Sequence, residues 1–294
     1  MTRRPGSRPR KTVPGGGTLG RRSLGRRVAS NTGLTIAVVL LVLPIAWGIL
    51  TALKPEADAF DDSLSSLLHA TEFSNFVTAW NYGPFGQFLL NGLIVGAGGT
   101  LVTVGTSLMS GYGFARLHFR GRDRLFFLYV ATLIIPQEVL VVPMYLLMRD
   151  IGWVNSYQAL IIPWAFSAFG VFLMRQFFRT IPLELEEAAK VDGASHFYIF
   201  TRIMVPMVRP AIGVLGLFTF IGYWNSFLWP LIIINSRSRA TVPLGLDYFL
   251  TQQGFIWNLL MAGGTISILP EVLLAVLLQR WLSEGISLSG LGGR

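Results

Sequence analysis

Between Ile181 and Pro210 the chain reads IPLELEEAAKVDGASHFYIFTRIMVPMVRP, and Glu184, Glu186, Glu187, Lys190 and Asp192 crowd into its first half. Carboxylates at this density can do acid–base work, bind a metal or recognise a basic partner. The rest of the chain narrows that choice. It holds no cysteine and only three histidines, without a HExxH pair, so neither a thiolate site nor a His-ligated metal is expected. The three lysines, Lys11, Lys54 and Lys190, follow Arg10, Leu53 and Ala189. None follows glycine, so a GxxxxGK[ST] phosphate loop cannot form. No Ser/His/Asp set or flanking carboxylate pair suggests hydrolysis. What is left for the acidic segment is a loop helix lying in the headgroup interface, or a surface that recognises a partner.

The elements that must present this segment are apolar. Of 294 residues, 52% are hydrophobic and 13% charged, against about 25% charged in a typical soluble domain. Residues 28–53 carry no charge, and about 20 apolar residues cross a bilayer. The same reading predicts five further spans near residues 88–112, 125–148, 156–178, 207–231 and 258–281. Pro44, Pro136, Pro143, Pro163 and Pro270 fall inside spans, where neighbouring helices can satisfy the freed carbonyls. Gly92, Gly96, Gly98, Gly99 and Gly105 give the second span small-xxx-small spacing, which favours close helix approach. The expected fold class is all-α, polytopic, with six transmembrane helices. Residues 1–31 are Arg-, Gly- and Pro-rich and read as a disordered basic tail. The membrane domain is placed at 32–284 and a C-terminal tail at 285–294.

The net charge of +9 could suggest nucleic acid, but its distribution argues otherwise. All but four of the 24 Lys and Arg residues fall on one side of the six-span topology; the exceptions are Lys54, Arg149, Arg237 and Arg239. By the positive-inside rule, both termini and the 181–210 segment are expected in the cytoplasm. Within that segment, Pro182 suits a helix start and the early glutamates suit the helix dipole. Leu185, Ala188, Ala189 and Asp192 share a face by i, i+3, i+4, i+7 spacing. Glu187 and Lys190 are spaced to pair. Asp192-Gly193 reads as a left-handed C-cap. A second helical run follows, punctuated by Pro206 and Pro210.

Glu187-Ala188-Ala189, three residues, Gly193, nine residues, then Ile203-Met204-Val205-Pro206 resembles the EAA motif of ABC-importer permeases. Val205 stands where that family has Leu. Further stretches, among them GYWNSFLWPLIIIN and LLMAGGTISILPEVLLAVLLQRWLSEGISLSG, are similar to the carbohydrate-uptake branch, specifically the smaller membrane subunit of maltose-type transporters. The likeness covers about residues 30–290. It implies a type I (MetI-like) importer permease in the bacterial cytoplasmic membrane. It implies as partners a second homologous permease, two ATP-binding subunits and an extracytoplasmic solute-binding protein. No cofactor belongs to this chain, ATP being bound by the partner subunit, and the chain is expected not to be an enzyme. Glu187, Ala188, Ala189, Asp192, Gly193, Ile203 and Pro206 would form the coupling segment, with Glu187 meeting a basic group of the ATPase.

For a translocation path the resemblance asks for polar and aromatic groups at membrane depth. Gln137 and Glu138, about 20 Å into the third span, and Tyr223, Trp224 and Asn225 in the fifth are the candidates. Trp229, before Pro230, fits an interfacial anchor. Glu138 and Glu271 each trail a proline and could satisfy a freed N–H or pair between helices. The external loops 54–87 and 232–257, with Trp80, Tyr82 and Tyr248, would face the binding protein. The expected cargo is a neutral sugar, because the spans hold no mid-membrane Arg or Lys. The alternatives are an ABC permease for glycerol phosphate or a polyol, and an ion-coupled secondary transporter, which would show a charged relay and often an inverted repeat.

Overall fold

The computed structural model describes residues 19–290 apart from 62, 64, 65, 67–70, 252 and 253. It divides into residues 1–49, which hold most of the first helix, and residues 50–294. The first helix, α1, runs Leu19–Ala52, so residues 19–31, expected as disordered tail, are helical. The remainder of that expected tail lies outside the described residues. The apolar part of α1, Ser30–Ala52, is long enough to cross a membrane.

The larger unit begins with a short helix, α2 (Ser74–Asn81), and a long one, α3 (Phe85–Arg116). Three bent pairs and one long helix then follow. α4 (Arg122–Ala131), continued by a 3-10 turn to Ile134, meets α5 (Gln137–Asp150) at 101°. α6 (Tyr157–Ile161), with a 3-10 turn through Trp164, meets α7 (Ala168–Thr180) at 50°. α8 (Leu183–Val191) is the helix of the acidic segment. After it, residues 196–207 form a helical run bent 77° from α9 (Arg209–Trp224). α10 (Leu228–Ile233), α11 (Val242–Leu246) and α12 (Trp257–Gly290) complete the chain. Between α11 and α12 lies one minimal antiparallel pair, Leu250–Thr251 with Gly254–Phe255. Counting each bent pair as one span gives six, as expected. α12 continues to Gly290, and its membrane-length part is Trp257–Trp281.

Two expected spans are interrupted. Pro136 sits in extended conformation ahead of α5, since its ring cannot continue α4 and the residue before it is driven out of the helical region. The third span is therefore broken where an unbroken helix was expected. Likewise α9 ends at Trp224, with Asn225 as its C-cap, so the fifth span does not continue to 231.

Helix α3 is the hub. Gly92, Gly96 and Gly99 accept aromatic rings as close neighbours, while Gly111, further along, lies against the α7 backbone at Met174 and Arg175. A Cβ at Gly92 would lie 3.0 Å from Trp224, at Gly96 2.8 Å from Phe220, and at Gly99 2.5 Å from Tyr223. Three α9 rings thus fill a groove that only glycine leaves open. Gly105 has open space instead. Buried residues form two clusters along α3. One gathers Phe85, Phe88, Trp224, Trp229 and Phe249, and the other Tyr112, Met174, Phe178, Ile199 and Met204.

Candidate functional site

The acidic segment folds as its sequence asks. Pro182 precedes α8, Glu184 and Glu186 occupy its first turn, and Asp192 caps its end. Gly193 takes φ +80°, the left-handed conformation that glycine adopts at least cost, and its N–H donates to Lys190 O at 3.0 Å. Ser195 then accepts from Tyr198 N. Residues Ile199–Met204 form a π-helical turn that leads through Pro206 towards α9.

The orientation of α8 decides what each residue can do. Glu187, Ala188, Lys190, Asp192 and Gly193 are exposed, while Ala189 is half-buried against the second apolar cluster. The face expected to hold Leu185, Ala188, Ala189 and Asp192 together is thus mostly outward, with Ala189 turned in. Ile203 and Pro206 are half-buried in the link to α9. A Glu187–Lys190 pair, which the spacing allows, is not among the ion pairs of the described residues.

Glu186, not singled out from the sequence, points inward and is 4% exposed. Its Oε1 lies 3.9 Å from Arg116 Nε, both side chains being almost wholly buried. Arg116 is the last residue of α3, and its Nη2 also donates to the carbonyls of Phe178 and Ile181 at the end of α7. A helix leaves its last carbonyls unpaired, and a cation suits that negative end. Arg175 of α7 answers in the opposite sense. Its Nε donates to Phe114 O at 3.2 Å and its Nη2 to Asp123 Oδ1 of α4 at 2.9 Å, while the guanidinium stacks 4.0 Å over Phe126. Two arginines therefore cross-cap the ends of α3 and α7, each with a carboxylate from a flanking helix. The only sequence signal for this was an arginine closing a long apolar helix and a glutamate beside the EAA glutamate.

At the other level of the bundle a cavity of about 400 Å³ is lined by Gln137, Glu138, Tyr223, Thr103, Ser167 and Thr219 among apolar residues. Gln137 and Glu138, at the first turn of α5, are exposed to it because α4 and α5 break there. Tyr223 reaches it while its hydroxyl donates to Ile161 O at 2.9 Å. Trp224 does not line it. Its ring is buried on Gly92, and Nε1 donates to Ser267 O at 3.1 Å. Asn225 is also away from the lining, its Nδ2 donating to Glu271 Oε1 of α12. Glu271 thus pairs between helices. Trp229 is no interfacial anchor: it is buried, donates to Ala159 O at 2.8 Å and packs edge-on against Trp164. No Lys or Arg lines the cavity. Among the described residues no cluster of His, Asp and Glu could hold a metal.

Residues 102–288 match the family model described as "Binding-protein-dependent transport system inner membrane component". The arabinooligosaccharides transport system permease protein AraQ of Bacillus subtilis (strain 168) is 31% identical over 91% of this chain and 96% of its own. The sn-glycerol-3-phosphate transport system permease protein UgpE of Yersinia pestis bv. Antiqua (strain Antiqua) is 31% identical, over 86% and 93%. A solved structure, of a bacterial ABC transporter involved in the import of the acidic polysaccharide alginate, has a similar fold. It superposes with a TM-score of 0.74 at 21% identity, over 91% of this chain and 99% of that one.

Proposed function

Since the chain belongs to the inner membrane components of binding-protein-dependent transport systems, a family of ABC transporter permeases, we propose that it forms half of the pathway of an ATP-driven importer of neutral carbohydrate. A second homologous permease supplies the other half, and two ATP-binding subunits drive the cycle. A solute-binding protein delivers the cargo. The observation that carries the coupling role is the outward face of α8. Glu187, Ala188 and Lys190 are exposed on a short helix tied inward through Glu186. Small Ala188 lets that face seat closely in a groove, and Glu187 offers a carboxylate to a basic group of the ATPase. Asp192 and Gly193 set the turn behind it, and Ile203 to Pro206 link it to α9. ATP is bound by the partner subunit, because this chain has no phosphate loop, and the chain itself is a transport subunit rather than an enzyme. Both termini and α8 lie in the cytoplasm on the distribution of basic residues.

Two observations support the cargo reading. The cavity lining offers an amide, a carboxylate and hydroxyls but no cation, which suits a polyhydroxylated neutral ligand better than a phosphate ester. AraQ is named for oligosaccharides. UgpE, named for a glycerol phosphate, marks the competing reading, and there the second permease would supply the cation. Gln137, Glu138 and Tyr223 are the path residues this geometry favours, and Trp224 and Asn225 are assigned to packing and to the Glu271 pair. Affinity purification of the tagged chain in mild detergent tests the assembly. The wild type is expected to bring down an ATPase and a second permease, and Glu187→Ala and Gly193→Pro to lose the ATPase alone. A lone chain, or a homodimer without ATPase, would overturn the importer reading and favour the secondary transporter.

A further inference from the structure

We propose that Arg116 and Glu186 are the positioning residues that yoke the docking helix to the ends of α3 and α7, so that a displacement of α8 moves both helices with it. The proposal rests on the reading of α8 as the ATPase-docking helix and extends it inward. An exposed helix of nine residues, Leu183–Val191, is too short to hold its own shape in water. Pro182 in front and Gly193 behind bound it as a separate short element. Force applied to its outer face can pass along the chain to α7 and α9, and to α3 through what the inner face grips. The charged group on that inner face is Glu186, whose Oε1 lies 3.9 Å from Arg116 Nε, an ion-pair contact without a hydrogen bond, with the Tyr112 hydroxyl also against it.

That guanidinium is placed to distribute the load. Arg116 ends α3 and at the same time donates to Phe178 O and Ile181 O, which end α7 and begin the connection into α8. Three elements therefore meet at one side chain. Arg175 closes the same pair of helix ends from the α7 side through Phe114 O, and Asp123 holds it from α4. The α3 and α7 ends are thus one stiff unit, with Glu186 as its handle. Packing reinforces the union. A Cβ at Gly111 would lie 2.6 Å from Met174 Cβ, and one at Gly170 2.3 Å from Ser107 Oγ, so α3 and α7 sit too close to slide past each other. α3 then carries the motion to the cavity level, where Thr103 lines the space beside Tyr223. Burial makes the pair act as a unit, because a lone buried charge is far more costly than a paired one.

The chain has no cysteine, so the test can use site-directed spin labels. Cysteines replace Leu183, at the start of α8, and Leu101, exposed on α3, in the complex assembled with cysteine-free partner subunits. Mobility and distance changes are recorded on trapping with ATP and vanadate, and ATP hydrolysis is measured on the same samples. In the wild type both labels should respond. Glu186→Gln keeps the shape and removes the charge. It should still assemble with the ATPase and hydrolyse ATP, and the label at 183 should still respond. The response at 101 should fall roughly tenfold, as expected where about 1.4 kcal/mol of linkage is lost. Arg116→Lys with Glu186 intact, which keeps the charge but cannot fork to two carbonyls, should retain part of the response. An undiminished response at 101 in assembled Glu186→Gln would overturn the proposal. So would loss of assembly in Glu186→Gln, which would make the pair a folding contact. A wild type that captures no ATPase would overturn the docking reading itself and the yoke with it.

Discussion

Around Phe85, Trp224 and Trp229 most joins between helices are neutral donors on backbone carbonyls, beside the Asn225–Glu271 contact and the buried Lys54, whose Nζ donates to Asp61 O. Asn91, wholly buried, donates to Ser238 O and Ala240 O, and its Oδ1 accepts from Tyr157. The indoles of Trp224 and Trp229 and the hydroxyl of Tyr223 each reach a carbonyl of another element. Around Tyr112, Phe178 and Ile199, at the far end of the same helix α3, the joins are made by Arg116 and Arg175 with their carboxylates. The contrast follows the surroundings. At membrane depth an ion is costly and a neutral hydrogen bond is adequate. At the boundary a charge can be solvated during folding and buried afterwards, and a pair of charges reaches further and couples more strongly than an amide. One end lines a cavity, and the other holds the short helix α8.

The largest effect should come from breaking the charged end. Arg116→Met strips the partner from buried Glu186 and leaves two α7 carbonyls unserved, a loss of about 3–5 kcal/mol for one half of a buried pair. Thermal unfolding in mild detergent should show a much lower midpoint than the wild type. A variant within about 1 kcal/mol of the wild type, the usual size for a neutral hydrogen bond, would erase the distinction between the ends.

The glycine groove gives the next test. Gly99→Ala puts a methyl 2.5 Å from the Tyr223 ring, and overpacking of this kind costs about 1–3 kcal/mol. Gly105→Ala, with open space beside it, should be neutral or stabilising by up to about 1 kcal/mol, the helix propensity difference. Equal behaviour of the two would mean that the rings of α9 do not sit where the groove places them. At the charged end, Gly193→Ala forces a side chain into φ +80° at a cost of about 1–2 kcal/mol. The signature should be local, as faster proteolysis or hydrogen exchange at residues 183–198, with the unfolding midpoint nearly unchanged.

These sites show what could be read from sequence. The six apolar stretches, the Pro182 start and the Gly193 stop of α8 were visible, because each depends on local composition or on one residue's backbone preference. The breaks at Pro136 and Asn225 were not. A proline is compatible with a kinked helix and with a broken one, and only packing against neighbours decides. The inward turn of Glu186 was hidden for a related reason. Glu184, Glu186 and Glu187 are chemically alike, and what singles out Glu186 is Arg116, seventy residues earlier in the chain. Trp229 misled in the opposite direction. Near a helix end beside proline it looks like an interfacial anchor, yet α6 supplies a carbonyl that draws it inside.

Trp229 also provides the smallest and most discriminating test. Trp229→Phe keeps a ring to meet Trp164, whose centroid lies 5.6 Å away, and removes the Nε1 donor to Ala159 O. Hydrogen bonds between membrane helices average only about 0.6 kcal/mol, because the unfolded chain in the bilayer also finds partners. The midpoint should therefore move little, several-fold less than for Arg116→Met on the same apparatus. The contrast between the ends requires that order. A larger loss in Trp229→Phe than in Arg116→Met would mean that the neutral joins carry the bundle and that the buried arginines are retained for motion alone.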